Sequence, residues 1–185
     1  MNSTAGSVVT TGVFKKAGLK ETTVLLALAW LIPLAIHLVP WSGARPLGAY
    51  LLPMFWATFV AVYFFGAGLG VVVGLFAPAI NLLVTGLPAW KFLSVLSFEL
   101  TVFALVTAWA VRRSPRLVLV APLGYVVAKI GSTGLQAVTT AFGEIGAPGE
   151  FFVRSLVGGI AGLVVLAAIN AGLAFFYPKA AGEVK

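Results

Sequence analysis

The chain has 185 residues, of which 61% are hydrophobic and 9% charged, and it carries a net charge of +7 at a mean hydropathy of +1.08. Soluble domains are about 25% charged, so this composition excludes a water-soluble globule, a disordered chain and a coiled coil, and it implies an all-α integral membrane protein. Without Cys or Asp and with one His, His37, the chain offers no disulfide, thiolate nucleophile, Asp-rich magnesium site or multi-histidine metal site, and neither a cofactor nor a metal is expected.

Residues 1–22 read as a polar, uncleaved cytoplasmic tail, with Lys15, Lys16 and Lys20 close to the first apolar run. A bilayer core about 30 Å thick takes roughly 20 apolar residues per helix. Six runs meet that length: Thr23–Val39, Leu47–Phe65, Ala67–Val84, Phe92–Val111, Leu117–Val138 and Val153–Phe176. They are apolar on every face, which favours helices over the alternating strands of a membrane β-barrel. Residues 23–177 form the expected transmembrane domain and residues 178–185 a second cytoplasmic tail. Pro40-Trp41-Ser42-Gly43, Gly66-Ala67-Gly68, Gly86-Leu87-Pro88, Arg112-Arg113-Ser114-Pro115-Arg116 and the Gly143–Gly149 stretch punctuate the runs.

Charge sets the expected orientation. With the N-terminus in the cytoplasm, eight Lys and Arg lie inside, and three, Arg45, Lys91 and Arg154, lie outside. Excess Lys and Arg in cytoplasmic segments is the positive-inside pattern, so the positive net charge speaks for membrane topology rather than nucleic-acid binding. An even number of spans returns the C-terminus to the same side. Ala79-Ile80-Asn81 echoes Ala168-Ile169-Asn170; in an alanine-rich chain this match is read as chance rather than as an inverted repeat.

Two charges lie well inside the apolar runs, away from their ends: Glu99 in the fourth and Lys129 in the fifth. A charge at that depth costs roughly 3 kcal/mol or more unless paired or solvated, and so marks a functional candidate. Counted at 1.5 Å per residue from the outer boundary, both lie about 12–14 Å deep. They either pair to fix two helices, face a common polar cavity, or relay a proton, although no further carboxylate or His continues such a path inward. Gln136 follows Lys129 by seven residues, two helical turns, on the same face. Trp41, Arg45, Trp90 and Lys91 gather at the same outer end, and Asn81 lies near it. Trp belongs at bilayer interfaces in any case; as a set around the acid and base, these residues would suit a planar heteroaromatic ligand. A Ser132–His37 couple has no sequence support. The Gly66-Ala67-Gly68-Leu69-Gly70 run lacks the strand that a phosphate-binding loop needs. Gly66, Gly70 and Gly74 draw a small-residue stripe of the kind that brings helices close, within the chain or against another subunit.

The Tyr63–Gly74 stretch, Phe98-Glu99-Leu100, Ala128-Lys129-Ile130-Gly131 and Val157-Gly158-Gly159-Ile160-Ala161-Gly162 together resemble the S components of energy-coupling factor transporters, over about residues 23–176. The resemblance implies a six-helix, non-enzymatic subunit in a prokaryotic plasma membrane. It would capture a vitamin or related micronutrient from outside, beside a membrane T component and two cytoplasmic ATPases. It also implies partner contact through small residues of the first three helices. On the first these are Ala27 and Ala35, imperfectly spaced because Leu31 stands between them; on the third they are Gly66, Gly70 and Gly74. Ligand contacts would come from the first outer loop and the fourth to sixth helices, where Glu99, Lys129 and Gln136 stand. Two other readings remain open: an accessory membrane subunit in which Glu99 and Lys129 only pair, and a stand-alone carrier.

Overall fold

A computed structural model describes residues 19–43, 46–86, 88–114, 116–138 and 147–179. Among these the fold is wholly α-helical, in the order α1 Leu19–His37, α2 Leu47–Leu51, α3 Pro53–Phe65, α4 Ala67–Thr85, α5 Trp90–Arg113, α6 Val120–Val138, α7 Pro148–Gly158 and α8 Ile160–Phe176. Large apolar side chains point outward around the bundle, Leu83, Trp109 and Val164 among them. Such a surface suits lipid and not water, so the chain is membrane-embedded.

Among the described residues, two helical stretches are long and apolar enough to cross a bilayer, Ala67–Thr85 and Phe92–Arg113; α7 and α8, bent by 59° at their junction, make a third if taken as one span. The apolar stretches of α1 and α3, Thr23–Ile36 and Pro53–Phe65, are shorter. Two expected spans are therefore broken helices.

The first break has a local cause. Proline lacks an N–H and disfavours the α conformation at the residue before it. Leu52 adopts φ 56°, ψ 43°, the left-handed region, and Pro53 opens α3 at the first helical position, where its fixed φ suits a helix start. The second break falls at Gly159, where α7 ends and α8 begins. The two breaks touch. A Cβ on Gly162 would lie 2.7 Å from the Leu51 carbonyl and 2.6 Å from Leu52 Cγ, so the bare backbone of α8 receives the end of α2.

Packing between apolar helices in lipid gains little from the hydrophobic effect, because lipid tails are as apolar as Leu; close contact and hydrogen bonds decide instead. The glycine stripe shows this. A Cβ on Gly70 would meet Val62 at 2.3 Å and Ala104 at 3.3 Å, and one on Gly74 would meet the Leu100 backbone at 3.1 Å. Gly66, Gly70 and Gly74 are all buried within the chain. The stripe draws α4 onto α3 and α5, which corrects the expectation that these glycines face another subunit. Along α1, Leu25 and Ala29 are buried against α3 and α4, Ala27 is half-buried and Ala35 exposed. Ring edges close the centre of the bundle: Phe55 lies 5.1 Å from Phe103 and 4.9 Å from Tyr125, centroid to centroid.

Polar contacts complete the frame. The Ala121 N–H donates to Asn170 Oδ1 at 2.8 Å, and Asn170 Nδ2 donates to the Leu117 carbonyl at 3.2 Å, which ties α8 to the start of α6. The Tyr63 hydroxyl donates to the carbonyl of Tyr177 at 2.8 Å. Buried Lys179 donates to the Tyr63 carbonyl and sits over that residue's ring. The expected C-terminal tail thus begins folded against the end of α3.

Candidate functional site

Glu99 lies in α5, facing α6, and is 1% exposed. Lys129 comes from α6 and is 8% exposed. Tyr125, Lys129 and Ser132 follow one another at helical spacings of four and three, so one face of α6 presents all three. Lys129 Nζ donates to both oxygens of the Glu99 carboxylate, at 2.8 and 2.7 Å. Ser132 Oγ donates to Glu99 Oε1 at 2.7 Å. The equal depth read from the sequence thus becomes a direct ion pair.

Burying two charges costs several kcal/mol per ion, which close bidentate geometry and an added donor offset. The carboxylate is well supplied, with three donated bonds. The ammonium spends two of its three N–H groups on Glu99, and the third has no acceptor among the described residues. Its remaining neighbours are aromatic faces, Phe151 with its centroid at 5.3 Å and Tyr125 at 5.6 Å. Such contacts favour a cation. The Tyr125 hydroxyl in turn donates to the Ser155 carbonyl at 3.4 Å, a long bond that joins α6 to α7.

The pair does not sit in solid packing. A cavity of about 290 Å³ opens beside it, with Glu99, Lys129, Tyr125 and Asn81 on its wall. Both helix breaks contribute: Leu52 and Pro53 from one, Ser155 and Gly158 from the other. Pro33, Pro46 and Pro88 bring in α1 and the approaches to α2 and α5. The remainder is mostly apolar, with Met54, Phe55 and Leu96 nearest the core. The cavity therefore belongs to the end of the bundle where α1 meets α2, α4 meets α5 and α6 meets α7. Its lining, greasy with a few convergent polar groups, is that of a small-molecule pocket, and its volume is at the small end of the roughly 300–1,000 Å³ such pockets span.

The other sequence-predicted residues divide. Asn81 is buried at 1% exposure and joins the cavity as expected. Trp41 is 52% exposed, with its ring 5.8 Å from Tyr50, and Trp90 is 75% exposed at the first position of α5. Neither lines the cavity, so neither stacks over it in this conformation. Gln136 is also off the wall, its Nε2 buried without an acceptor among the described residues. Arg45 and the side chain of Lys91 lie outside the described residues, as does the side chain of His37. Sequence reading missed Tyr125, Phe151, Ser155 and the bond from Ser132 to Glu99. Tyr125 and Ser132 had a usable signal, their helical spacing from Lys129; Phe151 and Ser155 come from α7, which no local pattern ties to α6.

No family model, curated protein or solved structure matches this chain.

Proposed function

We propose that the chain is the membrane-embedded substrate-binding subunit of a micronutrient uptake system of the energy-coupling factor type. In this reading α1, α2 with α3, α4, α5, α6, and α7 with α8 make six crossings of a prokaryotic plasma membrane, with both termini in the cytoplasm. The cavity then opens toward the outside and receives a vitamin-like small molecule. A T component and two ATPases supply the energy for uptake, and this subunit performs no covalent chemistry. With the glycine stripe used internally, the T component would meet the exposed face of α1, where Val24, Leu28, Leu31 and Ala35 lie.

The observation that carries the reading is a void beside a buried acid–base pair. A pair that served packing alone would be expected to lie in close-packed surroundings like the rest of the interior. The Phe55–Phe103–Tyr125 ring cluster stands where the cavity meets the core, which favours capture over free passage and counts against a stand-alone carrier. Binding would draw on desolvation of the ligand's apolar body, with Asn81 and Lys129 fixing its polar edge.

The test is to purify the chain from its membrane, identify any small molecule that it retains by mass spectrometry, and repeat with Glu99→Gln and Lys129→Met. Retention of a micronutrient by the wild type and its loss from both variants is the expected result. An empty wild-type protein whose thermal stability does not respond to a vitamin panel would overturn the proposal. One observation favours a second reading, an accessory subunit with a structural ion pair: Lys129 and Ser132 already satisfy both oxygens of Glu99. In that case the two variants lose stability but no ligand.

A further inference from the structure

The charge on the cavity wall narrows what the cavity can hold. Among the described residues that line the cavity, Glu99 and Lys129 are the two acid–base groups of opposite sign, and they pair with each other at 2.7 Å. Tyr125, Asn81 and Ser155 add hydrogen-bonding capacity and no charge at neutral pH. The rest of the wall is proline, glycine and apolar side chain. Among the described residues, a ligand entering this space therefore meets a wall of zero net charge.

An anion could hold the Lys129 ammonium fully only by pulling it from Glu99, which would leave that carboxylate buried against Ser132 alone, and an anion that took just the third N–H would set a second negative charge beside the buried carboxylate with one ammonium to serve both. A cation could win Glu99 only by leaving the ammonium with two aromatic faces. Either exchange strips a buried charge of its partner, the costly direction for a buried ion pair. A neutral molecule needs no such exchange. The third N–H of Lys129 can donate to a carbonyl oxygen or ring nitrogen while the pair stays intact, and the Asn81 amide has the chemistry to donate or accept beside it.

We infer that the cavity selects an electroneutral ligand, uncharged or internally zwitterionic, that offers at least one hydrogen-bond acceptor to Lys129 and buries an otherwise apolar, compact body. The volume of about 290 Å³ is that of on the order of ten water molecules in the liquid, so the body is small. This inference rests on the proposed role in ligand capture and specifies the substrate class of the same site.

The experiment has two arms on the full chain in detergent or nanodiscs. In the first, the net charge at pH 7 of whatever small molecule co-purifies is read from its identity by mass spectrometry. In the second, binding of nicotinamide, nicotinate and the N-methylnicotinamide cation, one ring in three charge states, is measured by thermal shift and calorimetry on the wild type, Glu99→Gln and Lys129→Met. An electroneutral co-purified molecule supports the inference, as does wild-type preference for the amide over both ions by about 100-fold or more. In the variants the preference should move toward nicotinate in Glu99→Gln and toward the cation in Lys129→Met. If a variant fails to fold, the wild-type preference and the identity of the retained molecule decide. A retained anion or cation, or an ionic probe bound by the wild type as well as the amide, overturns the inference and leaves ligand capture standing. An empty protein that responds to none of the three probes or to a wider vitamin panel overturns both.

Discussion

Glu99 and Lys129 show how a position can be read from sequence while its environment cannot. Counting residues from the ends of two apolar runs put both charges at one height, and the 2.7 Å contact is what that count allows. Asn81 was legible for the same reason. The failures also have a physical origin. Trp41 and Trp90 stand at helix ends, where an indole gains as much at a lipid interface as over a ligand, and the fold leaves both exposed. Gln136 shares a helical face with Lys129, but it stands roughly 10 Å further along the axis, beyond a cavity that runs across the bundle toward α2. The stability of the pair follows from its burial. Removing one partner leaves an unpaired charge, so Lys129→Met should cost about 3–5 kcal/mol. The double variant Glu99→Leu/Lys129→Met removes both charges and should recover most of that loss, since apolar replacement of a whole buried pair is often neutral. Thermal unfolding in detergent reads both; a single variant as stable as the wild type would mean that the contact carries no weight.

Among the elements, the broken helices decide the shape of the site, and here sequence reading fell short. Pro33, Pro53 and Pro78 all lie inside apolar runs, yet only Pro53 starts a helix; Pro33 and Pro78 stand within α1 and α4. What separates them is tertiary. Leu52 can turn left-handed because the end of α2 rests on the bare backbone at Gly162, a contact more than a hundred residues away in the chain. Hydropathy, which sums composition, sees one span where the fold has two helices. The same contact yields a paired test on α8. In Gly162→Ala the added methyl meets the Leu51 carbonyl at 2.7 Å, and overpacking of this kind costs typically about 1–3 kcal/mol. In Gly172→Ala the methyl meets nothing within 4 Å, so the helix propensity gained by replacing Gly should stabilise by up to about 1 kcal/mol. Opposite shifts of the unfolding midpoint are expected. Because Gly162 positions the α2–α3 break on the cavity wall, Gly162→Ala should also weaken ligand retention, whereas Gly172→Ala should not.

For the whole molecule, the open matter of greatest consequence is which side of the membrane the cavity faces, and it can be argued from charge alone. The cavity occupies the end where Pro46, Pro88 and Ser155 approach one another. The opposite end carries the α3–α4 junction at Gly66, the Arg112–Arg113 terminus of α5, and Lys179 folded on Tyr63. In the topology expected from the sequence, eight of the Lys and Arg residues fall on the side of that opposite end and three on the other. Under the proposed topology, retention of positive charge in the cytoplasm would turn the cavity outward. The absence of native cysteine makes the assignment directly measurable. Ser42 and Ser114 are both exposed and lie at opposite ends of the bundle. Ser42→Cys should react with a membrane-impermeant maleimide in intact cells, and Ser114→Cys only after permeabilisation. The reverse pattern would turn the cavity to the cytoplasm. Capture from outside would then fail, while the ion pair, the void beside it and its zero net charge would still describe a binding site for a small molecule on the inner face.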